Sequence, residues 1–200
     1  MNQQALAQTF VTLFVIMDPI GNVPFFIALT GRRARRERTW LAIQAALAAG
    51  ALVAGFALFG QAVLTYLHVT VQSLSIAGGL LLLLVALEAF RGQTATEAEA
   101  GSIALVPLAT PLLAGPGAIA AIMVLSGRFS DAAGRLGVVA GILATVLAVM
   151  VTFALASQIS RVLRPTAINF FRRVLALLLC AIAVQLIADA VAQMVTQGRV

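Results

Sequence analysis

At 200 residues, 62% hydrophobic and only 10% charged, with a mean hydropathy of +1.05, the chain falls outside the range of soluble domains, where about 25% of residues are charged. Its net charge of +6 comes from thirteen arginines and no lysine. These cluster between apolar runs, as membrane topology demands, and make no basic, aromatic-interleaved surface for nucleic acid. Cys180 is the only cysteine, which excludes an intrachain disulfide, a CxxC pair and a cysteine-based metal site.

The start, Met1-Asn2-Gln3-Gln4, lacks the positive n-region of a signal peptide, so the first apolar run is expected to stay in the mature protein. Six runs near the ~20 residues that a bilayer requires follow in order: about 5–29, 40–64, 74–90, 103–125, 136–156 and 174–195. A basic loop, Gly31 to Arg38, follows the first. Trp40 and Tyr66 bracket the second at headgroup level. The polar stretch 91–102 divides the chain, which predicts a first three-helix unit (1–90), a linker (91–102) and a second unit (103–200). Counted by loop, ten arginines fall on the side of the first loop and three on the other. That split predicts a cytoplasmic first loop and both termini outside.

The first run is interrupted at its middle by Asp18-Pro19-Ile20-Gly21-Asn22-Val23-Pro24. Each proline removes a backbone donor and costs about 3 kcal/mol inside a helix. An ionised aspartate at mid-membrane costs about 2.5–3.5 kcal/mol on insertion scales. An anchor needs neither, so the stretch reads as a discontinuous helix lining a polar site. The fourth run carries a counterpart, Thr110-Pro111-Leu112-Leu113-Ala114-Gly115-Pro116-Gly117. Pro19 and Pro24 map onto Pro111 and Pro116 at an offset of 92, and Gly31-Arg32 onto Gly127-Arg128 at 96. With three runs per half, the second half must enter the membrane upside down. The expected fold is all-α and polytopic: six transmembrane helices in two inverted three-helix repeats, the first and fourth discontinuous. Paired interruptions of this kind point to a transporter site near the bilayer midplane. Half-helix N-termini suit a carboxylate and carbonyl ends suit an ammonium group or small cation. No arginine lies deep in a span, so the charge balance favours a small zwitterion or a neutral polar solute.

DPIGNVPFF in the first run and PLATPLLAGPGAIA in the fourth resemble the paired motifs of the MarC family, UPF0056-type membrane proteins also described as six-span neutral amino acid transporters. The resemblance covers essentially the whole chain, including GGLLLLLVALEA in the third run. It departs in the sixth, where Leu175-Ala176 stand at the place of Gly78-Gly79. The resemblance implies a multi-pass protein of bacterial or archaeal inner membranes, moving small neutral amino acids such as glycine or alanine on a proton or sodium gradient. Carried over by position, it places Asp18, Gly21 and Asn22 in the first half of a substrate site and Thr110, Gly115 and Gly117 in the second.

Two readings stand for the polar members. Asp18 is either an N-cap for a half-helix beginning at Pro19 or a ligand for substrate or coupling ion, and the two are compatible. Asn22 has the same choice before Val23, and Thr110 before Pro111. The glycines serve close approach or unusual backbone angles in either case. No cofactor and no resident metal are implied; the expected partners are a small-molecule substrate, a proton or sodium ion and membrane lipid. An enzyme is disfavoured by the absence of lysine, by the single His68 in a loop, and by the lack of a His and carboxylate cluster. A channel or another non-enzymatic membrane protein is the alternative. Reporter fusions within 91–102 are expected to signal from the cytoplasm; a periplasmic signal would reverse the orientation.

Overall fold

The computed structural model describes residues 2–30, 33–90, 113–162 and 165–196, and all their regular elements are helices. They are α1 (Gln3–Met17), α2 (Val23–Thr30), α3 (Arg35–Tyr66), α4 (Val71–Phe90), α5 (Pro116–Arg128), α6 (Ala132–Ala154), α7 (Ala156–Val162) and α8 (Pro165–Thr196). The linker 91–102 and the first part of the fourth run lie outside the described residues. Three helices, α3, α6 and the Arg173–Thr196 part of α8, are long and apolar enough to cross a bilayer. α1 and α5, at 15 and 13 residues, are apolar but shorter.

Local chemistry sets the helix ends. Asn2 caps α1, its side-chain oxygen accepting from the N–H groups of Gln4 and Ala5, and Asp131 caps α6 through the Gly134 N–H at 3.2 Å. α3 closes in a Schellman motif: the Val69 N–H reaches the Leu64 carbonyl at 3.0 Å and the His68 N–H reaches Thr65 at 3.2 Å. His68 takes the left-handed position with φ 55°, where glycine is the usual occupant, so this loop histidine is a helix terminator.

The packing is inside out relative to a soluble protein. The buried set is rich in alanine, including Ala42, Ala45, Ala46, Ala49, Ala118, Ala120 and Ala121, while Leu58, Phe59, Leu84, Leu136, Leu143 and Leu177 are exposed. Small residues between helices and large apolar ones toward lipid are what a membrane selects, because burial of leucine gains little where the solvent is itself hydrocarbon. Trp40 and Tyr66, 60% and 83% exposed, stand 26 residues apart on α3. That separation is about 39 Å, close to the span between the two headgroup regions.

Helix directions follow from named contacts. The Asn2 N–H donates to the Ala133 carbonyl at 3.0 Å. A Cβ on Gly137 would stand 2.7 Å from Ala5 Cβ, and one on Gly141 2.6 Å from Thr9 Cβ. At the far end, Phe26 stacks on Phe153 with ring centroids 4.6 Å apart. The α1–α2 unit therefore runs parallel to α6. Gly60 and Gln61 lie against Met123 and Gly127, which sets α3 parallel to α5. Gln72 bonds to Gln193 at 3.3 Å while Gly79 faces Ile187, making α4 and α8 antiparallel. α4 packs most extensively on α8, and α1 on α6; α3 packs on α6 and α5, α4 on α5, and α1 on both α5 and α8.

Gly141 is one of two close approaches of α1 to α6, so Gly141→Leu is expected to destabilise the fold by about 1–3 kcal/mol through overpacking. Leu143→Ala, at a 63% exposed position, should stay within about 0.5 kcal/mol of wild type. Thermal unfolding in detergent measures both; equal midpoints would remove the close contact as a determinant of the fold.

Candidate functional site

The first apolar run breaks where its composition demands. Pro19 has no N–H to give the Val15 carbonyl, so α1 cannot continue past Met17. Asp18 turns the chain in the left-handed region (φ 39°, ψ 60°) as the C-cap of α1, its own N–H still bonded to the Phe14 carbonyl at 3.0 Å. Among non-glycine residues, aspartate and asparagine tolerate that conformation because a short polar side chain can bond locally. Here the Asp18 Oδ1 accepts from the Gly21 N–H at 2.9 Å. The Asn22 side-chain amide donates back to the Met17 carbonyl at 3.0 Å, satisfying an orphan group at the end of α1. The backbone closes around them, with the Asn22 N–H on the Asp18 carbonyl and the Phe26 N–H on that of Asn22. α2 then begins at Val23 with Pro24 in its first turn.

This differs from the expectation of a half-helix beginning at Pro19. Asp18 does cap, but it caps the helix behind it as well as the turn ahead. The helix starts four residues later because Asp18 and Asn22 together spend those residues closing the break. Gly21 has a steric reason: a Cβ there would overlap the Asp18 carboxylate. Asp18 and Asn22 are half-buried, and Pro19 and Gly21 are buried.

The second interruption is described from Leu113 onward. Leu113 and Ala114 are buried, and Gly115 is the N-cap of α5 in an extended conformation (φ −66°, ψ 173°) with no side chain capping it. Pro116 occupies the first helical turn, where its missing donor is harmless. The N–H groups of Ala118 and Ile119 turn back to the Gly115 carbonyl at 2.9 and 3.2 Å. Thr110 and Pro111 lie outside the described residues.

The two interruptions sit at one depth. α1 covers 15 residues from the end of the bundle marked by Asn2, and α5 covers 13 to the same end, marked by Arg128. At 1.5 Å per residue, the breaks are about 22 and 20 Å below that end. α1 packs on α5, and Met17, Val23, Leu113, Ala114 and Ala118 belong to one apolar cluster. A further residue, not singled out by sequence reasoning, joins them. Leu82 of α4 fills the space a Cβ on Gly117 would need and shares an apolar cluster with Val15 of α1. Its only sequence signal was its place in the GGLLLLLVALEA run.

Chemically, the two interruptions present helix ends of opposite partial charge. The C-terminus of α1 carries partial negative charge, reinforced by the Asp18 carboxylate, and the uncapped N-terminus of α5 carries partial positive charge.

A family model described as MarC family integral membrane protein matches residues 3–195. The chain belongs to the MarC family. Relatives include the UPF0056 membrane protein MJ1677 of Methanocaldococcus jannaschii, 36% identical over 96% of this chain and 98% of its own length. The UPF0056 membrane protein of Aquifex aeolicus is 33% identical, covering 91% and 90%. The UPF0056 inner membrane protein YhgN of Escherichia coli is 30% identical, covering 90% and 93%. No solved structure matches the chain at a significant level. As a MarC-family chain with apolar spanning helices, the protein is integral to the membrane and multi-pass.

Gly21→Ala is expected to break the Asp18–Gly21 bond, a loss of about 1.5–3 kcal/mol for a charged acceptor. Asp18→Asn keeps both the acceptor oxygen and tolerance of positive φ, and should melt near wild type. Comparable melting of the Gly21→Ala and Asp18→Asn variants in detergent would remove the bond as a structural element.

Proposed function

We propose that this MarC-family protein is a secondary transporter of the inner membrane, moving small neutral amino acids of the glycine or alanine class on a proton or sodium gradient. The observation that carries this reading is the pair of helix breaks at matching depth with opposite electrostatic ends. An amino acid zwitterion fits both: its ammonium group, or a coupling cation, toward Asp18 and the α1 carbonyl end, and its carboxylate toward the partial positive charge at the start of α5. Gly21, Asn22, Gly115 and Gly117 hold the backbone of that cradle, and the family motif adds Thr110 as a candidate ligand.

Helix pairing supports two inverted repeats, 1–90 and 103–200 joined by 91–102. Take α1–α2, α3 and α4 as spans one to three, α5 with the residues before it as span four, and α6–α7 and α8 as spans five and six. Exchanging the halves then maps the α4–α8, α3–α6 and α1–α5 packings onto themselves, α1–α6 onto α3–α5, and α4–α5 onto α1–α8. A pseudo-two-fold axis in the membrane plane produces that correspondence. The inner-membrane assignment rests on the relative YhgN, so named in Escherichia coli.

The test is reconstitution into proteoliposomes and uptake of labelled glycine or alanine under imposed proton or sodium gradients. Saturable, gradient-driven flux is expected, and Asp18→Asn should lower or uncouple it at least tenfold while melting near wild type. Flux that rises linearly with substrate and ignores both gradients would replace the carrier with a pore. Unchanged coupled flux in the folded Asp18→Asn protein would reduce Asp18 to a cap.

A further inference from the structure

α8 turns one face to α4, through Ala176, Leu179, Ala183, Ile187 and Ala190. Only 22% of its membrane window is buried, against 39% for α3 and α6. The face directly opposite α4 holds Ala181, Gln185, Ala188 and Ala192, all exposed, at the four- and three-residue spacing of one helix stripe. Beside the stripe lies exposed Asp189, whose Oδ1 accepts from the Gln185 amide at 2.6 Å.

Depth makes this polar pair unusual. The Gln72–Gln193 bond lies at the bundle end where Tyr66 marks the headgroups. From Gln193, Asp189 and Gln185 are about 6 and 12 Å deeper, and half the hydrocarbon thickness is about 15 Å. Gln185 therefore faces outward near the bilayer midplane, where lipid offers no hydrogen bond. Beyond the Asp189 bond, its second amide N–H and its Oε1 have no partner among the described residues.

We infer that the protein is a homodimer joined through α8, with Gln185 of each protomer hydrogen-bonded to the partner's Gln185. The occupant is a second copy because the face is self-complementary. An axis along the membrane normal sets two α8 helices parallel with like residues opposed. A carboxamide carries donor and acceptor, so two of them satisfy each other across such an axis. Ala181, Ala188 and Ala192, a turn above and below, let the backbones approach closely enough for that bond. Asp189 stands to one side of the stripe, which holds the two carboxylates off the axis while each orients its own Gln185.

The test uses the full chain in lipid bilayers. In a Cys180→Ala background, Ala181→Cys and Ala188→Cys are expected to form oxidised dimers in native membranes, and Leu147→Cys, exposed on α6, is not. Single-molecule photobleaching at graded protein densities should show two-step traces for wild type. For the Gln185→Leu/Asp189→Leu double variant, the density at which dimers form should rise about tenfold. That variant only removes polarity from a lipid-facing surface, and its melting in detergent reports that it folds. One-step traces at every density, equal cross-linking at Leu147→Cys, or cross-links only to a different protein would overturn the homodimer.

Discussion

Hydrocarbon supplies no hydrogen bonds, so every backbone group along a membrane span must be satisfied by the chain itself. Most of this protein meets that requirement with long helices. The segment from Asp18 to Asn22 meets it with two side chains. The Asp18 carboxylate accepts from the Gly21 N–H, and the Asn22 amide donates a hydrogen bond to the Met17 carbonyl. The acid and the amide are thus structural before they are anything else. Their half-buried position leaves the same atoms next to a break in the bundle, where a charged or dipolar solute would meet them.

The rest of the packing serves to hold that break at one depth. α1 is fixed lengthwise against α6 by the Asn2–Ala133 bond and by the close approach at Gly137 and Gly141. α2 is fixed at the other end by the Phe26–Phe153 stack. With both flanks tied to the same neighbour, the turn between them cannot slide along the membrane normal. α5 begins at matching depth, and Leu82 links the two interruptions through Gly117 and the Val15 cluster. The proposed transport calls for such a fixed site around which other helices move. The α4–α8 pair has an apolar cluster of its own, which meets the main one at Ile16 of α1, while Val71 and Leu74 of α4 pack on the main cluster.

That division also gives α8 its second task. A helix that presents only one face to its own bundle has the other available, and here the outer face carries amide and acid groups that lipid cannot satisfy. Dimerisation there would fix the α4–α8 pairs of two protomers as a shared frame and leave α1, α2, α5 and α6 to respond to solute. The Asp18 turn and the α8 stripe are built from different helices, and neither depends on the other for its local geometry.

The sequence by itself determined that the chain lives in a membrane, where its apolar runs lie, and that the first run is interrupted at Asp18 to Pro24. A proline lacks an N–H whatever surrounds it, and an acid in an apolar run is costly whatever it faces. Only the tertiary structure decided how the interruption closes: Asp18 as a left-handed cap on α1, Asn22 reaching backward, and α2 delayed to Val23. Several turns were sterically open, and the choice fell to which carbonyls and N–H groups the flanking helices left unsatisfied. The tertiary structure also decided which faces pack, bringing Leu82 to Gly117, Thr9 to Gly141 and Phe26 to Phe153. In a run of leucine, alanine and valine the periodicity is silent on this point, because lipid and protein interior are equally apolar and only the partner across the interface distinguishes them.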